Sequence, residues 1–298
     1  MPASYHSNLQ VFHCNVFCDQ PYSGNQATVV CCQTSVSEDT MQLLAREFNT
    51  PETMFVSPSS LGISVRYFTP KKEVNSCAHG TLAVASVAFA CGYNQASNWV
   101  ELQTNNGKIR CHQIIDGQGT HYAFSASQPQ YEVLAKCDSA LADSLGLNSE
   151  GEHRAYLTYF SQSAPRLLLH LDEAQLMSLS PNWERLYQAQ QRLNTTAVFA
   201  FSWQPEQPNY LKGRMFSPLM GINEDPVNGN SVIAFSSVLN HLCQCVGLPL
   251  PKDIYAHQGF AFDRQGVVRV TLPSNNEQPD QVRLAGQVLL LYHFTMDI

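Results

Sequence analysis

Glu52, His79 and Asp225 are titratable side chains in segments where polar sequence gives way to apolar sequence. Glu52 lies in NTPETMFV, where an amphipathic helix is predicted to end and an apolar strand to begin. Desolvation there would raise the pKa of its carboxyl, which suits a general acid and base. His79 is surrounded by polar residues and has the side chain best suited to proton transfer near neutral pH. The sequence therefore predicts proton-transfer chemistry.

Each of these side chains also has a simpler interpretation. Glu52 could be a solvated glutamate at the end of a loop, and His79 a capping or structural histidine. Asp225 precedes Pro226 and a predicted buried helix, so its carboxyl could cap that helix, orient a ligand or relay a proton. The residue types alone leave these alternatives open.

Cys77 lies two residues before His79, near the predicted start of a helix. The positive end of a helix lowers the pKa of a thiol, so Cys77 is a candidate nucleophile or base. An internal repeat of the sequence aligns Cys77 with Pro226. The repeat therefore argues against a symmetrical pair of cysteines.

Two predicted helix starts, CAHGT at 77–81 and NGNS at 228–231, are suited to binding an anion. A helix start has unpaired backbone N–H groups and a partial positive charge, and glycine lets a ligand approach the backbone closely. Capping by Asn228, Asn230 or Thr81 is the alternative. Because the pattern occurs twice, we favour a ligand site.

The repeat also predicts the elements that position these residues. RYFTP at 66–70 and RMFSP at 214–218 are each followed by a loop, a polar cluster and an apolar segment, 80–91 or 231–246. Those segments are apolar or small on nearly every face, which is typical of a buried helix. Most of the remaining chain reads as strand. We expect two similar domains, each with strands around a central helix, and helix starts that face a shared cleft.

Composition excludes several classes of partner and site. The chain of 298 residues has 17 Lys and Arg against 24 Asp and Glu, a formal charge of -7, so neither nucleic acid nor an anionic membrane is an expected partner. No secretory signal or long apolar run is present, and a cytoplasmic protein whose ten cysteines are mostly small buried side chains is expected. Dinucleotide, P-loop and G-x-S-x-G motifs are absent from the sequence. Metal sites are not expected, since His241, Cys243 and Cys245 would point to different faces of a helix.

In combination, several motifs resemble the phenazine-biosynthesis-like isomerase family, whose fold is related to that of diaminopimelate epimerase. They are SGNQATVV, PETMFV, VRYFTPKKEV followed by CAHGT, GRMFSP followed by EDPVNGNS, and HQGFAF, between about residues 11 and 270. The resemblance implies an α+β protein of two pseudo-symmetric domains, each a strongly curved, mostly antiparallel sheet or barrel around a buried helix. The expected domains are 1–122 with the strand 282–298, and 123–281, with an active site in the cleft between them and a homodimeric assembly.

The resemblance also implies roles for individual residues. Glu52 would be the acid and base that moves a proton on a small anionic carboxylic acid, without metal or organic cofactor, and His79 and Asp225 would support it. Backbone N–H groups near the helix starts would hold the substrate carboxylate. The implied substrate-binding residues are Gly24, Asn25, Cys77, Gly80, Thr81, Asn228, Gly229, Asn230, Ser231 and Gln258.

Three positions depart from the family pattern: Ala78 replaces Gly, Asn228 replaces Thr and Gln26 replaces Pro. Because Asn228 lies at the expected ligand site, these departures leave the substrate open. Two alternatives to the isomerase follow. One is a non-catalytic binding or interaction protein that retains the pocket, and the other is an epimerase that uses Cys77 with Glu52.

Overall fold

The computed structural model describes residues 8–59, 62–93, 97–117, 119–151, 153–160, 165–273 and 281–297. Within it the chain divides into two compact units, Met1–Ser125 with Ala285–Ile298, and Ala126–Leu284. All ten cysteines are free thiols. Among the described helices, none combines the length and the apolar character that a membrane span requires.

The first unit contains strands, a surface helix and a buried helix. In chain order the elements are β1 (Asn8–Val16), β2 (Asn25–Cys32), α1 (Glu38–Phe48), β3 (Glu52–Ser59), β4 (Gly62–Phe68), β5 (Glu73–Val74), α2 (Ala78–Ala90), β6 (Trp99–Thr104), β7 (Gly107–Asp116) and β8 (Gly119–Ser127). α1 is amphipathic as the sequence predicts, because Ser37 caps its start and Met41, Leu44 and Ala45 are buried.

The second unit repeats this pattern with two more short helices. Its elements are β9 (Gln130–Leu134), α3 (Ser139–Ser144), β10 (Arg154–Tyr159), β11 (Arg166–His170), α4 (Glu173–Ser178), α5 (Trp183–Arg192), β12 (Ala197–Trp203), β13 (Tyr210–Ser217), a 3₁₀ turn (Pro218–Met220), β14 (Ile222–Asp225), α6 (Gly229–Cys245), β15 (Asp253–Gln258), a second 3₁₀ turn (Phe260–Phe262) and β16 (Gly266–Thr271). The last strand, β17 (Gln281–Asp297), returns to the first unit from Ala285 onwards.

Strand pairing closes the first unit into a barrel. β1 pairs with β2, β2 with β3, β3 with β4, β4 with β6, β6 with β7 and β7 with β8. β17 then pairs with both β8 and β1. The contacts β2–β3 and β4–β6 are parallel, and the other pairs with a described register are antiparallel. A closed barrel leaves an interior that side chains or a helix must fill.

The helix α2 fills that interior. Its residues from Ala78 to Ala88 are all buried, and it contacts β1, β2, β3, β6 and β7. A helix that is apolar on every face can bury all of them only inside such a shell. Gly92, at φ +75°, follows its end, where a left-handed conformation favours glycine. The predicted buried helix is confirmed.

The second unit uses the same pairing order around α6. β10–β11, β12–β13 and β15–β16 are antiparallel, whereas β11–β12 and β13–β15 are parallel. Each matches a pair in the first unit. α6 is buried along most of its length and contacts β9, β11 and β16. The duplication inferred from the sequence is therefore a duplication of strand topology, and the predicted α+β class is confirmed.

Equivalent ion pairs fix the register of the repeat. Arg66 makes a bidentate pair with Glu73 at 2.7 and 2.6 Å, and Arg214 makes one with Glu224 at 2.8 and 2.9 Å. These pairs span 7 and 10 residues, so the second repeat has three additional residues, which fall at the first 3₁₀ turn, Pro218–Met220. The alignment of Cys77 with Pro226 expected from the sequence repeat assumed a single inserted residue in the second half and was wrong. The helix starts then align Cys77 with Asn228 instead of Pro226, since both residues are N-caps.

The two ion pairs differ in exposure, which predicts different effects on stability. The Arg214 and Glu224 side chains are each 9% exposed, against 29% and 22% for Arg66 and Glu73. Arg214→Met would leave Glu224 buried without its partner and should lower the free energy of unfolding by about 3–5 kcal/mol. Arg66→Met should lower it by about 1 kcal/mol, because water can solvate Glu73. Urea denaturation checks this, and equal losses in the two variants would contradict it.

Candidate active site

Glu52 and His79 meet inside the first unit. Glu52 is the first residue of β3, in parallel register with Ala27 of β2, and His79 is the second residue of α2. The Glu52 Oε2 atom lies 3.1 Å from His79 Nε2, with the side chains 14% and 4% exposed. Both polar groups are thus placed at the start of the buried helix. Proton transfer needs donor and acceptor at about this distance.

Cys77 and Asn25 complete the surroundings of His79. Cys77 Sγ lies 3.5 Å from His79 Nδ1 and accepts a hydrogen bond from the backbone N–H of Gly80 at 3.2 Å. The Asn25 side-chain amide, fully buried at the start of β2, lies 3.4 Å from the same ring nitrogen. The cluster of Glu52, Cys77, His79 and Asn25 is therefore assembled from two strands and one helix start.

The charges of the cluster shift two pKa values. Burial alone would lower the pKa of His79, but neighbouring Cys77 and the Glu52 carboxylate raise it well above its ordinary value of 6.5. Burial, reinforced by Glu52, raises the pKa of the Cys77 thiol against the opposing effects of His79 and the Gly80 N–H. Both shifts favour the protonated form at neutral pH, an imidazolium at His79 and a thiol at Cys77.

The lowered pKa expected for the Cys77 thiol was wrong in direction, because burial raises it. A helix start lowers a thiol pKa where water or a cation also supports the anion, whereas Cys77 is 5% exposed and lies beside a carboxylate. Its sulfur instead caps α2 by accepting the Gly80 N–H.

Gly24, Gly80 and Thr81 have structural contacts. Gly24 has φ +62°, and a Cβ there would lie 2.2 Å from the carbonyl oxygen of Val16. At Gly80 a Cβ would lie 2.6 Å from Met54 Sδ. The Thr81 hydroxyl donates to the Cys77 carbonyl at 2.8 Å. These residues hold the helix start in place, and their proposed contact with substrate stays a prediction.

The second unit forms a polar cluster at the start of α6. The Asn228 Oδ1 atom accepts from Ser231 N at 2.8 Å, and its Nδ2 donates to Asp225 Oδ2 at 2.8 Å. Gln258, fully buried, accepts the Asn228 N–H at 3.0 Å and donates to the Asn228 carbonyl at 3.3 Å. Asp225, Asn228, Ser231 and Gln258 are therefore brought together, with Gly229 and Asn230 as the first two residues of the helix. That this cluster and the one around Glu52 serve one ligand stays a prediction from the sequence.

Sequence reasoning missed Arg166. Its Nη1 atom donates to Asn228 Oδ1 at 2.7 Å, and it also donates to the Ser231 hydroxyl. Arg166 opens β11, far from the helix in sequence, and no motif includes it. No sequence signal indicated it, because the contact joins residues 62 positions apart and periodicity does not reveal such contacts.

Three side chains of the first unit have the donor types of a metal site. One donor atom from each of Glu52, Cys77 and His79 lies within 4.8 Å of the others. Thiolate, imidazole and carboxylate are the usual ligands of zinc. The cluster could therefore bind a thiophilic cation, although His79 and Cys77 would first have to lose their protons.

Comparison with known proteins agrees with this architecture. The model of the family described as phenazine biosynthesis-like protein matches residues 14–293. The chain belongs to this family. It is 32% identical over 298 residues to the uncharacterized isomerase YddE of Escherichia coli (strain K12), covering 95% of this chain and 97% of that protein. This member of the phenazine biosynthesis-like family is an isomerase.

Solved structures of the family and of epimerases share the fold. A phenazine biosynthesis protein of the PhzF family from Bacillus anthracis has a TM-score of 0.83 at 22% identity, covering 98% of this chain and 99% of that chain. A hydroxyproline epimerase from Agrobacterium vitis, solved with bound trans-4-hydroxy-L-proline, has a TM-score of 0.63 at 13% identity, covering 99% and 94%. The epimerase-like fold expected from the motifs is confirmed.

The Glu52–His79 pair predicts a linked titration. Glu52→Gln removes the carboxylate and should lower the pKa of His79, whereas Glu47→Gln, at an exposed position of α1, should leave it unchanged. The His79 ring resonances in NMR spectra between pH 5 and 10 report this. An unchanged His79 titration in Glu52→Gln would show that the carboxylate does not set the protonation state.

The same pair predicts a dependence of stability on pH. Because the folded-state pKa of His79 is raised, its stabilisation is fully present below the unfolded pKa of about 6.5. It is lost as pH rises through the folded pKa. Denaturation of the native protein and of Glu52→Gln across this window measures the difference, which should shrink with increasing pH.

Proposed function

We propose that the protein is a cofactor-independent isomerase in which Glu52 moves a proton on a small carboxylic acid. The observation that carries this proposal is the pairing of the Glu52 carboxylate with His79 at 3.1 Å, in a largely buried cluster at a helix start. A carboxylate held there can act as a base with little competition from water.

In the proposed reaction, a Glu52 oxygen removes a proton from an activated carbon, so that a C–H bond breaks and an O–H bond forms. The electron pair moves into the conjugated acid or carbonyl group as an enolate. Glu52 then gives the proton to another carbon and becomes a carboxylate again. His79, protonated beside it, supplies positive charge where the enolate develops.

An epimerase with Glu52 and Cys77 as opposing bases receives less support. Bases on opposite faces of one carbon must each approach it to about 3–3.5 Å, which separates them by about 6–7 Å. The donor atoms of Glu52 and Cys77 lie within 4.8 Å of each other. Both groups therefore approach a substrate from the same side, as a single base with a neighbouring thiol does.

Two expectations stay part of this proposal. The substrate-binding roles of Gly24, Asn25, Thr81, Gly229 and Asn230 rest on the family resemblance, as does the homodimer. The homodimer can be tested by sedimentation of the purified protein. A non-catalytic binding protein is the competing interpretation, and saturable binding of small acids without any hydrogen exchange would favour it.

Loss of the Glu52 carboxylate should abolish proton transfer. We expect Glu52→Gln to lower deuterium incorporation from heavy water by at least about 10³-fold, because an amide cannot accept the proton, while binding of the acid remains. Mass spectrometry of a panel of small cyclic and unsaturated carboxylic acids measures the exchange. Glu47→Gln is the matched control, and exchange that persists in Glu52→Gln would remove Glu52 from the mechanism.

The proposal also predicts the response to metals. Chelation by EDTA should leave exchange unchanged, whereas added Zn²⁺ should inhibit it by binding Glu52, Cys77 and His79. Inhibition should weaken in Cys77→Ser, which lacks the thiolate ligand. Exchange that is lost on chelation and restored by a metal would instead show a metal-dependent enzyme.

A further inference from the structure

Arg166 places a guanidinium group at the start of the buried helix α6. Its Nη1 donates to Asn228 Oδ1 at 2.7 Å and to the Ser231 hydroxyl. Asn228 is the N-cap of α6 and Ser231 its third residue. Arg166 thus contacts the positive end of a helix, where a cation is electrostatically unfavourable.

No compensating anion lies in contact with this cation among the residues that the structure describes. Arg166 takes part in none of their ion pairs, and its buried Nε–H has no hydrogen-bond partner among them. Burial lowers the pKa of Arg166 to about 10, with the Asp225 carboxylate opposing this effect, so the group remains a cation at neutral pH. Buried charges in proteins are normally paired.

A structural arginine of the same unit shows the contrast. Arg214 is 9% exposed, makes two hydrogen bonds to Glu224 and donates to the carbonyls of Leu176 and Leu179. Its charge and its donors are thus used within the protein. Arg166 has only neutral partners in hydrogen-bond contact and an unused donor.

The Asn228 amide links Arg166 to the Asp225 carboxylate. Its oxygen accepts from Arg166 while its nitrogen donates to Asp225 Oδ2 at 2.8 Å. A threonine hydroxyl, the residue of the family pattern, has one hydrogen to donate and is shorter. Asn228 therefore suits a site that contains Arg166, which gives this departure a physical reason.

The duplication shows that Arg166 is specific to one unit. The register that pairs Ala27 with Glu52 in the first unit pairs Arg166 with Ala197 in the second. Arg166 is thus equivalent to Ala27, and Glu52 is equivalent to Ala197. In this strand pair the first unit has a carboxyl on one strand, and the second unit has a guanidinium on the other. Each lies beside the start of its central helix.

We propose that Arg166 and the start of α6 bind a carboxylate group of the ligand, which completes the coordination of the guanidinium through its Nε and outer Nη donors. A planar carboxylate matches this fork with two parallel hydrogen bonds. Asn228 and Ser231 hold the other side of the guanidinium in place. The inference deepens the proposed isomerase function, but the binding step does not depend on Glu52.

Binding is tested with acetate as the probe. Acetate replaces chloride at constant ionic strength, and the Arg166 Nε–H resonance, assigned by its absence in Arg166→Lys, is followed by NMR. We expect a saturable shift of this resonance, also in Glu52→Gln, where loss of catalysis would not affect it. Arg154→Lys, at an exposed position of β10, is the matched control and should leave the shift unchanged. Absence of a saturable shift, or tighter binding of phosphate than of acetate, would overturn the assignment to a carboxylate.

Stability separates a ligand-binding arginine from a structural one. Without ligand, Arg166→Met should have a melting temperature equal to or above that of the native protein, because an uncompensated buried charge is removed. Arg214→Met should melt several degrees lower. Acetate should raise the melting temperature of the native protein and not that of Arg166→Met. A loss in Arg166→Met as large as that in Arg214→Met would show a structural role and end the proposal.

Discussion

A helix enclosed by a sheet must satisfy the N–H groups at its start without water, and this constraint shapes both units. Along α2 every residue from Ala78 to Ala88 is buried, so the unpaired N–H groups at its start lie in an apolar interior. Cys77 caps α2 and Asn228 caps α6, each through the N–H of the third helical residue. The titratable groups lie at these two helix starts, where the backbone N–H groups already need polar partners.

Duplication preserved the scaffold and changed the chemistry. The Arg66–Glu73 ion pair joins β4 to β5, and the Arg214–Glu224 ion pair joins the equivalent strands β13 and β14. The order of strands is the same in the two units. Glu52, by contrast, is equivalent to Ala197. The Glu52 carboxyl therefore has no counterpart in the second unit, which agrees with the proposed one-base proton transfer and not with a symmetrical pair of bases.

Sequence reasoning found most of the cluster members and misjudged some of their states. Glu52, His79 and Asp225 could be named because each lies at a boundary between polar and apolar sequence or in a family motif. The lowered pKa expected for the Cys77 thiol was wrong in direction, since burial and a carboxylate 25 residues earlier in the chain raise it. Arg166 was missed because its contact with Asn228 at the start of α6 joins residues 62 positions apart in the chain.

By itself, the sequence determined the two buried helices, the repeat and the fold class, because hydrophobic periodicity and local motifs are short-range properties of a chain. Only the tertiary structure decided which N-cap residues are equivalent and that Glu224 forms an ion pair with Arg214. It also decided that Glu52 contacts His79 and that Arg166 contacts Asn228. The physical reason is that charge state and pairing depend on neighbours that parallel strand pairing and helix burial bring together. In the chain those neighbours are separated by tens of residues.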